Sequence, residues 1–261
     1  MTAGATHPFF DAPKPRVLAH RGLVTPDAAA HGVVENSFAA VAAAHAAGAE
    51  IVESDCHLTA DGVVVLFHDE DLARVTGDPR RVSDVTEFEL AALMAGRGGL
   101  ITLAQALESF PDLRFNLDAK APGVAAPLGR TIAEYAHRVL IASFSDLRRR
   151  EALDAAAQTR PDIRPATSAG SATVLRLLVG LALRSRLLTR RALAGIDALQ
   201  LPERRGRLRI VTPHLIRAAH ALGVEVHVWT VNDPDDMRRL IGMGVDGIVT
   251  DRADLALESL R

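Results

Sequence analysis

Short runs of β-branched and apolar residues recur along the chain, separated by Ala- and Leu-rich stretches whose apolar positions repeat every three to four residues. The first pattern predicts strands at 16–20, 49–55, 63–68, 113–120, 138–144, 163–167, 197–201, 224–230 and 246–250. The second predicts helices at 37–48, 102–110, 145–157 and 212–223, several opening on a Ser or Thr able to cap the first turn and two closing on Gly48 and Gly223. Strands that are apolar on both faces belong in a parallel sheet covered by helices. About eight strand-helix units fit a single (β/α)8 TIM-type barrel, with a doubly wound sheet as the alternative. Residues 1–15 are then an N-terminal extension and 16–261 one barrel domain. The run 63–68 breaks the rhythm: only the turn TADG separates it from the strand before, too little chain for a crossover helix, so it is expected as a short excursion or hairpin at the barrel top.

Composition narrows this modestly. A chain of 261 residues with 48% hydrophobic and 24% charged residues buries a large core, and a net charge of −2 offers no overall basic field for nucleic acid. The single cysteine, Cys56, cannot form an internal disulfide, and no basic segment followed by an apolar one opens the chain; a cytoplasmic setting is expected.

The polar positions carry the chemistry. In such a barrel the loops following the strands converge on one face, so polar residues at the C-terminal ends of strands are candidates for a site. His20 and Arg21 end the first strand, Glu53 and Asp55 the second, Asp118 and Lys120 the fourth, and Trp229, Thr230 and Asn232 a late one. Residues two apart on a strand share a face, so Glu53 with Asp55, and Asp118 with Lys120, point to one side. Three converging carboxylates repel unless a hard divalent cation sits among them, and oxygen donors without a Cys cluster or HExxH motif favour calcium, magnesium or manganese over zinc. His20 and His68 flank the carboxylates in sequence and form a candidate general base and general acid.

HRG at 20–22, ENS at 35–37, GAEIVESDCHLTADGVVVLFHD at 48–69, DAK at 118–120, VWTVN at 228–232 and GVDGIVTD at 244–251 together resemble the glycerophosphodiester phosphodiesterase family, over roughly residues 16 to 255. The resemblance implies a TIM-type barrel that hydrolyses glycerophosphodiesters to glycerol 3-phosphate and an alcohol with a divalent metal, calcium or magnesium. It implies that Glu53, Asp55 and Asp118 are metal ligands with Glu35 a further metal neighbour, that His20 and His68 are the catalytic pair, and that Arg21 and Lys120 contact the phosphate. One departure stands out: the family's usual Glu-x-Lys is here Asp118-x-Lys120, as in the related venom-type phospholipases D, which leaves the substrate class open.

Other residues are expected in lesser roles. Trp229 forms either an apolar wall beside the substrate or part of the core, Cys56 points away from its acidic neighbours into the core, and His57 supports the site or lies on the surface. Asp69 is expected to orient a neighbour or shape a turn. Residues 171–195 read as one basic amphipathic helix, with Arg176, Arg184, Arg186, Arg190 and Arg191 within an arc of about 160° at roughly 100° per residue. That helix is expected either to cover the barrel or to lie on a membrane surface. Three functions follow: hydrolysis of soluble glycerophosphodiesters, a lysophospholipase D acting at a membrane surface, or a catalytically silent phosphate-binding barrel. The partner is a small phosphodiester in the first case, with peripheral membrane contact through 171–195 in the second.

Overall fold

The structure, a computed structural model, describes residues 7–11 and 13–260; residues 1–6 and 12 of the expected N-terminal extension lie outside the described residues. The strands in chain order are β1 (Arg16–His20), β2 (Ile51–Leu58), β3 (Val64–Leu66), β4 (Arg114–Ala119), β5 (Val139–Ala142), β6 (Ala166–Thr167), β7 (Ala198–Pro202), β8 (Arg204–Arg205), β9 (Leu208–Arg209), β10 (Glu225–Trp229) and β11 (Gly247–Thr250). Eight run parallel in the order β6-β5-β4-β2-β1-β11-β10-β7. An isolated parallel bridge from Ser168 to Ala198 spans the seam between β6 and β7, so the sheet is a nearly closed (β/α)8 barrel.

Alternation along the strands sorts the core into two layers. Leu18, Ile51, Leu140, Ala166, Ala198 and Val249 fill the barrel interior, while Val17, Val52, Leu117, Ile141, Val226 and Ile248 pack outward under the helices. Glu53 and Asp55 follow Ile51 at spacings of two and four and therefore continue its inward row toward the barrel mouth. Cys56, of opposite parity, is fully buried in the outer layer.

The floor of the barrel is closed by part of the expected extension. Pro8–Asp11 forms a 3-10 turn whose Phe9 and Phe10 are buried with the interior residues. Beside them Arg16 donates from Nε to Glu225 Oε2 at 2.7 Å and from Nη2 to Glu225 Oε1 at 2.9 Å and to the Phe10 carbonyl at 2.7 Å. Lys14 Nζ lies 3.1 Å from Glu225 and 2.6 Å from Asp246, and His227, fully buried, meets Glu225 at 3.1 Å. Burial works against the Glu225 charge, but Arg16 and His227 outweigh it and hold the carboxyl well below the usual range.

One stretch goes further than the sequence expectation and another differs from it. The excursion at 63–68 pairs antiparallel with β2, Cys56 opposite Leu66 and Leu58 opposite Val64, as a hairpin closed by Thr59–Gly62. It does not end there: Phe67, Leu72, Val82, Val85, Leu90 and Met94 bury a small apolar cluster of their own before β4 begins. The expected helix over 171–195 is two helices, Ser171–Ala182 and Arg186–Ala192. Arg184 takes a left-handed φ of 50°, which stops the first, and the Ser185 hydroxyl accepts from Leu188 N–H, which starts the second.

Candidate active site

Strand register gathers the polar strand ends. His20 pairs with Glu53 across β1 and β2, and Asp55 pairs with Asp118 across β2 and β4. Lys120, just past β4, brings Nζ to 3.2 Å from Asp55 Oδ1 and 3.4 Å from Asp118 Oδ2. Burial opposes the lysine's charge, yet the two carboxylates prevail and its pKa is raised.

Arg21 reaches the same centre because the chain turns sharply after His20. Its φ is 58°, and Gly22 follows at 87°, where a Cβ would stand 2.6 Å from the Ala40 carbonyl carbon. Only glycine tolerates both the backbone angle and that approach. The turn sets Arg21 Nη1 2.7 Å from Glu35 Oε1 and Nε 3.2 Å from Asp55 Oδ2. Asn36 Nδ2 donates to the same Asp55 oxygen at 3.2 Å.

The centre has unsatisfied negative charge. Glu53 Oε2 and Asp118 Oδ1 are buried without a hydrogen-bond partner. Burial, then the charges of Asp55 and Asp118, push the Glu53 carboxyl well above its ordinary value. Asp118 is raised chiefly by burial, which Lys120 counters in part. Buried carboxylate oxygens left unpaired are costly, and a cation among them would relieve that cost. The donors are hard oxygens of the kind that hold magnesium or calcium. Among the described residues no three His, Cys, Asp or Glu side chains already stand as a metal-holding group, and it is Lys120 that lies between Asp55 and Asp118. Glu35 is occupied by arginines, its Oε1 accepting from Arg21 Nη1 and from Arg74 Nη2 at 2.7 Å each.

Each histidine is held through Nδ1 by a carboxylate. His20 Nδ1 meets Asp251 Oδ1 at 2.5 Å, with His20 Nε2 3.9 Å from Glu53 Oε2. Asp251 in turn accepts from Asn232 Nδ2 at 2.7 Å, and its own N–H donates to Asn232 Oδ1 at 2.9 Å. The His20 hydrogen bond first, with Asn232 assisting, lowers the Asp251 pKa. His68 Nδ1 meets Asp69 Oδ1 at 2.6 Å, and Arg74 Nε donates to Asp69 Oδ2 at 2.6 Å. The β2-β3 hairpin returns His68 to the mouth: Phe67 N–H donates to the Asp55 carbonyl at 2.9 Å, and His57 Nε2 lies 3.1 Å from the His68 carbonyl. Burial lowers the pKa of His57, whose ring serves as a strut under the His68 backbone. A carboxylate on Nδ1 fixes that nitrogen as the donor and leaves Nε2 free to take or give a proton.

The rim beside this centre is apolar. The Trp229 ring stands edge-on to Phe144 with centroids 6.0 Å apart, and Lys120 Nζ lies 5.8 Å from the Phe144 centroid. Two contributors carried no role in the sequence analysis. Asp251 closes a strand-end motif as His20 does, so its position was the available signal; Arg74 sits in the excursion, where no periodicity marks it.

Comparison with known proteins shows the family. The profile of the "Glycerophosphoryl diester phosphodiesterase family" matches residues 20–255. A "Probable glycerophosphodiester phosphodiesterase 2" of Mycobacterium tuberculosis is 39% identical over 246 residues, covering 93% of this chain and 89% of that protein. A "Glycerophosphodiester phosphodiesterase" of Caldanaerobacter subterraneus is 30% identical over 266 residues, covering 95% and 98%. The crystal structure of a glycerophosphodiester phosphodiesterase from Parabacteroides distasonis superposes with a TM-score of 0.67 at 26% identity, over 94% of this chain and 96% of that one. The chain belongs to the glycerophosphoryl diester phosphodiesterase family and is a phosphoric diester hydrolase.

Proposed function

We propose that the protein hydrolyses glycerophosphodiesters to glycerol 3-phosphate and an alcohol, with a divalent cation, magnesium or calcium, held by Glu53, Asp55 and Asp118. The observation that carries this reading is the pair of orphaned, buried carboxylate oxygens, Glu53 Oε2 and Asp118 Oδ1, at a mouth that also offers Arg21, Lys120 and two carboxylate-held histidines. A bound cation would supply charge neutralisation for a phosphate oxygen and for the charge that grows in the transition state. Glu35, already engaged by two arginines, steadies Arg21 and stands next to that cation in this reading.

The chain's own residues do the remaining work. Arg21 and Lys120 hold the non-bridging phosphate oxygens by charge-assisted hydrogen bonds, Lys120 exchanging part of its contact with the two aspartates for the substrate. One histidine, neutral at Nε2, removes the proton from the attacking oxygen; the other, protonated at Nε2, delivers a proton to the departing alcohol oxygen. With a glycerol substrate the attacking oxygen is its neighbouring hydroxyl, and the cyclic phosphate that results is opened by water with the two histidine roles exchanged. Trp229 and Phe144 give the glycerol or headgroup an apolar wall. That exposed aromatic rim favours a second reading in which lysophospholipids are also cleaved.

The test is release of glycerol 3-phosphate from glycerophosphocholine before and after EDTA. Chelation is expected to remove most of the release, and magnesium or calcium to restore it. Full activity in EDTA would overturn the metal assignment, and no release with either metal would overturn the reaction. Lysophosphatidylcholine assayed in parallel separates the two substrate readings.

A further inference from the structure

The chain carries its charge unevenly. Between residues 163 and 211 there are ten arginines against two acids, Asp197 and Glu203, a local charge of +8 in a chain whose total is −2; the other residues therefore sum to −10. From 163 to 196 no acid occurs at all. Asp197 is paired with Arg164, and Glu203 with Arg239 and Arg209, whereas the five arginines of the Ser171–Ala182 and Arg186–Ala192 helix hairpin and its turn make no ion pair among the described residues.

The same hairpin exposes apolar side chains. Its inner face is anchored by Thr173, Leu177, Gly180 and Thr189, all buried. Outward stand Leu175, Val179, Leu183, Leu187 and Leu188, with Leu175, Leu183 and Leu187 exposed by 63%, 66% and 58%. Leu183 to Leu188 spans the turn, so the apolar residues crowd where the left-handed Arg184 reverses the chain, interleaved with Arg184 and Arg186. The small β8-β9 hairpin, which follows β7 at the C-terminal end of the barrel, repeats the combination with Leu208 exposed among Arg204, Arg205, Arg207 and Arg209. The first helix starts at the active-site rim, where Ser171 N–H donates to the Phe144 carbonyl at 2.9 Å.

We propose that the Ser171–Ala192 helix hairpin, with the β8-β9 hairpin, docks the protein on an anionic phospholipid bilayer. Arginines, all but Arg209 without an ion pair among the described residues, interleaved with exposed leucines match a surface that is negative at the headgroups and apolar just beneath, whereas a purely polyanionic partner would leave the leucines in water. No helix among the described residues is long and apolar enough to cross a membrane, so the contact is peripheral. This inference does not depend on the catalytic reading.

Sedimentation with vesicles tests it. At about 0.01 M salt the protein is expected to bind vesicles of phosphatidylcholine mixed with phosphatidylglycerol, not phosphatidylcholine alone, and to be released near 1 M salt, where the screening length falls from about 30 Å to about 3 Å. The double variant L183D/L187D is expected to bind at least about tenfold more weakly while keeping its turnover of soluble glycerophosphocholine, which also reports that it is folded. If it loses that turnover, charge reversal at the exposed Arg190 and Arg191 replaces it, with the same expected loss of binding. Absence of binding to the mixed vesicles, or binding unchanged in these variants, overturns the proposal. So does a lipid-free oligomer that the leucine variant dissociates, because a second copy would then cover the face.

Discussion

His20→Ala and His68→Ala are each expected to lower kcat for glycerophosphocholine by about 10² to 10⁴, the usual worth of a positioned general acid or base. The chain holds each ring by a separate carboxylate, Asp251 for His20 and Asp69 for His68, and neither carboxylate serves both. Two rings held independently act on two different protons, so neither replaces the other. Asp251→Asn is a gentler probe: an amide retains the Asn232 neighbourhood, but it no longer enforces the Nδ1 donor tautomer, and a smaller fall in kcat with little change in KM is expected. Single-turnover and steady-state release of glycerol 3-phosphate measure both. Near-wild-type kcat in either alanine variant would remove that histidine from the chemistry.

Glu225→Ala is expected to destabilise the fold by about 3–5 kcal/mol, because it removes the carboxylate that faces the buried Arg16 guanidinium at the barrel floor. That is a large share of the roughly 5–15 kcal/mol that stabilises an ordinary domain. Urea unfolding measures it, and Glu225→Gln, which keeps the shape and one acceptor, should lose less. The same residue gives a pH signature. Its folded pKa is depressed, so its contribution is fully present above the ordinary glutamate value of about 4.3 and is lost as pH falls toward its folded value. The wild-type urea midpoint should therefore drop more steeply below about pH 4 than that of Glu225→Gln. Parallel slopes for the two proteins would show that Glu225 carries none of the acid sensitivity.

The barrel was legible because its evidence is local and repeated: each apolar strand and each capped helix signals itself within ten residues, and the order of types leaves few folds. The inward row of Glu53 and Asp55 was legible for the same reason, since strand parity alone sets it. The partners of those residues were not. That Lys120 lies between Asp55 and Asp118, or that Glu35 is taken by Arg21 and Arg74, depends on register between separate strands and on the excursion's path, neither of which periodicity encodes. The 171–195 stretch failed differently: a wheel drawn through it assumes one axis, and a single left-handed residue, Arg184, gives the chain two. The floor network escaped because Arg16 and Glu225 stand 209 residues apart and nothing in either neighbourhood names the other.

Strand β1 lies between β2 and β11, with Arg16 opposite Gly247 and Ala19 opposite Thr250. Until β11 exists, β1 and β10 are both open edges, their backbone N–H and C=O groups available to any extended segment nearby. During synthesis the chain must therefore shelter two edges until Gly247–Thr250 has been made, and the strand pairing that abolishes both at once, β11 beside β1, is also the one of longest sequence separation. A chain stopped short of Gly247 would be left as an open, edge-exposed sheet instead of a slightly smaller enzyme, and its fate would be self-association.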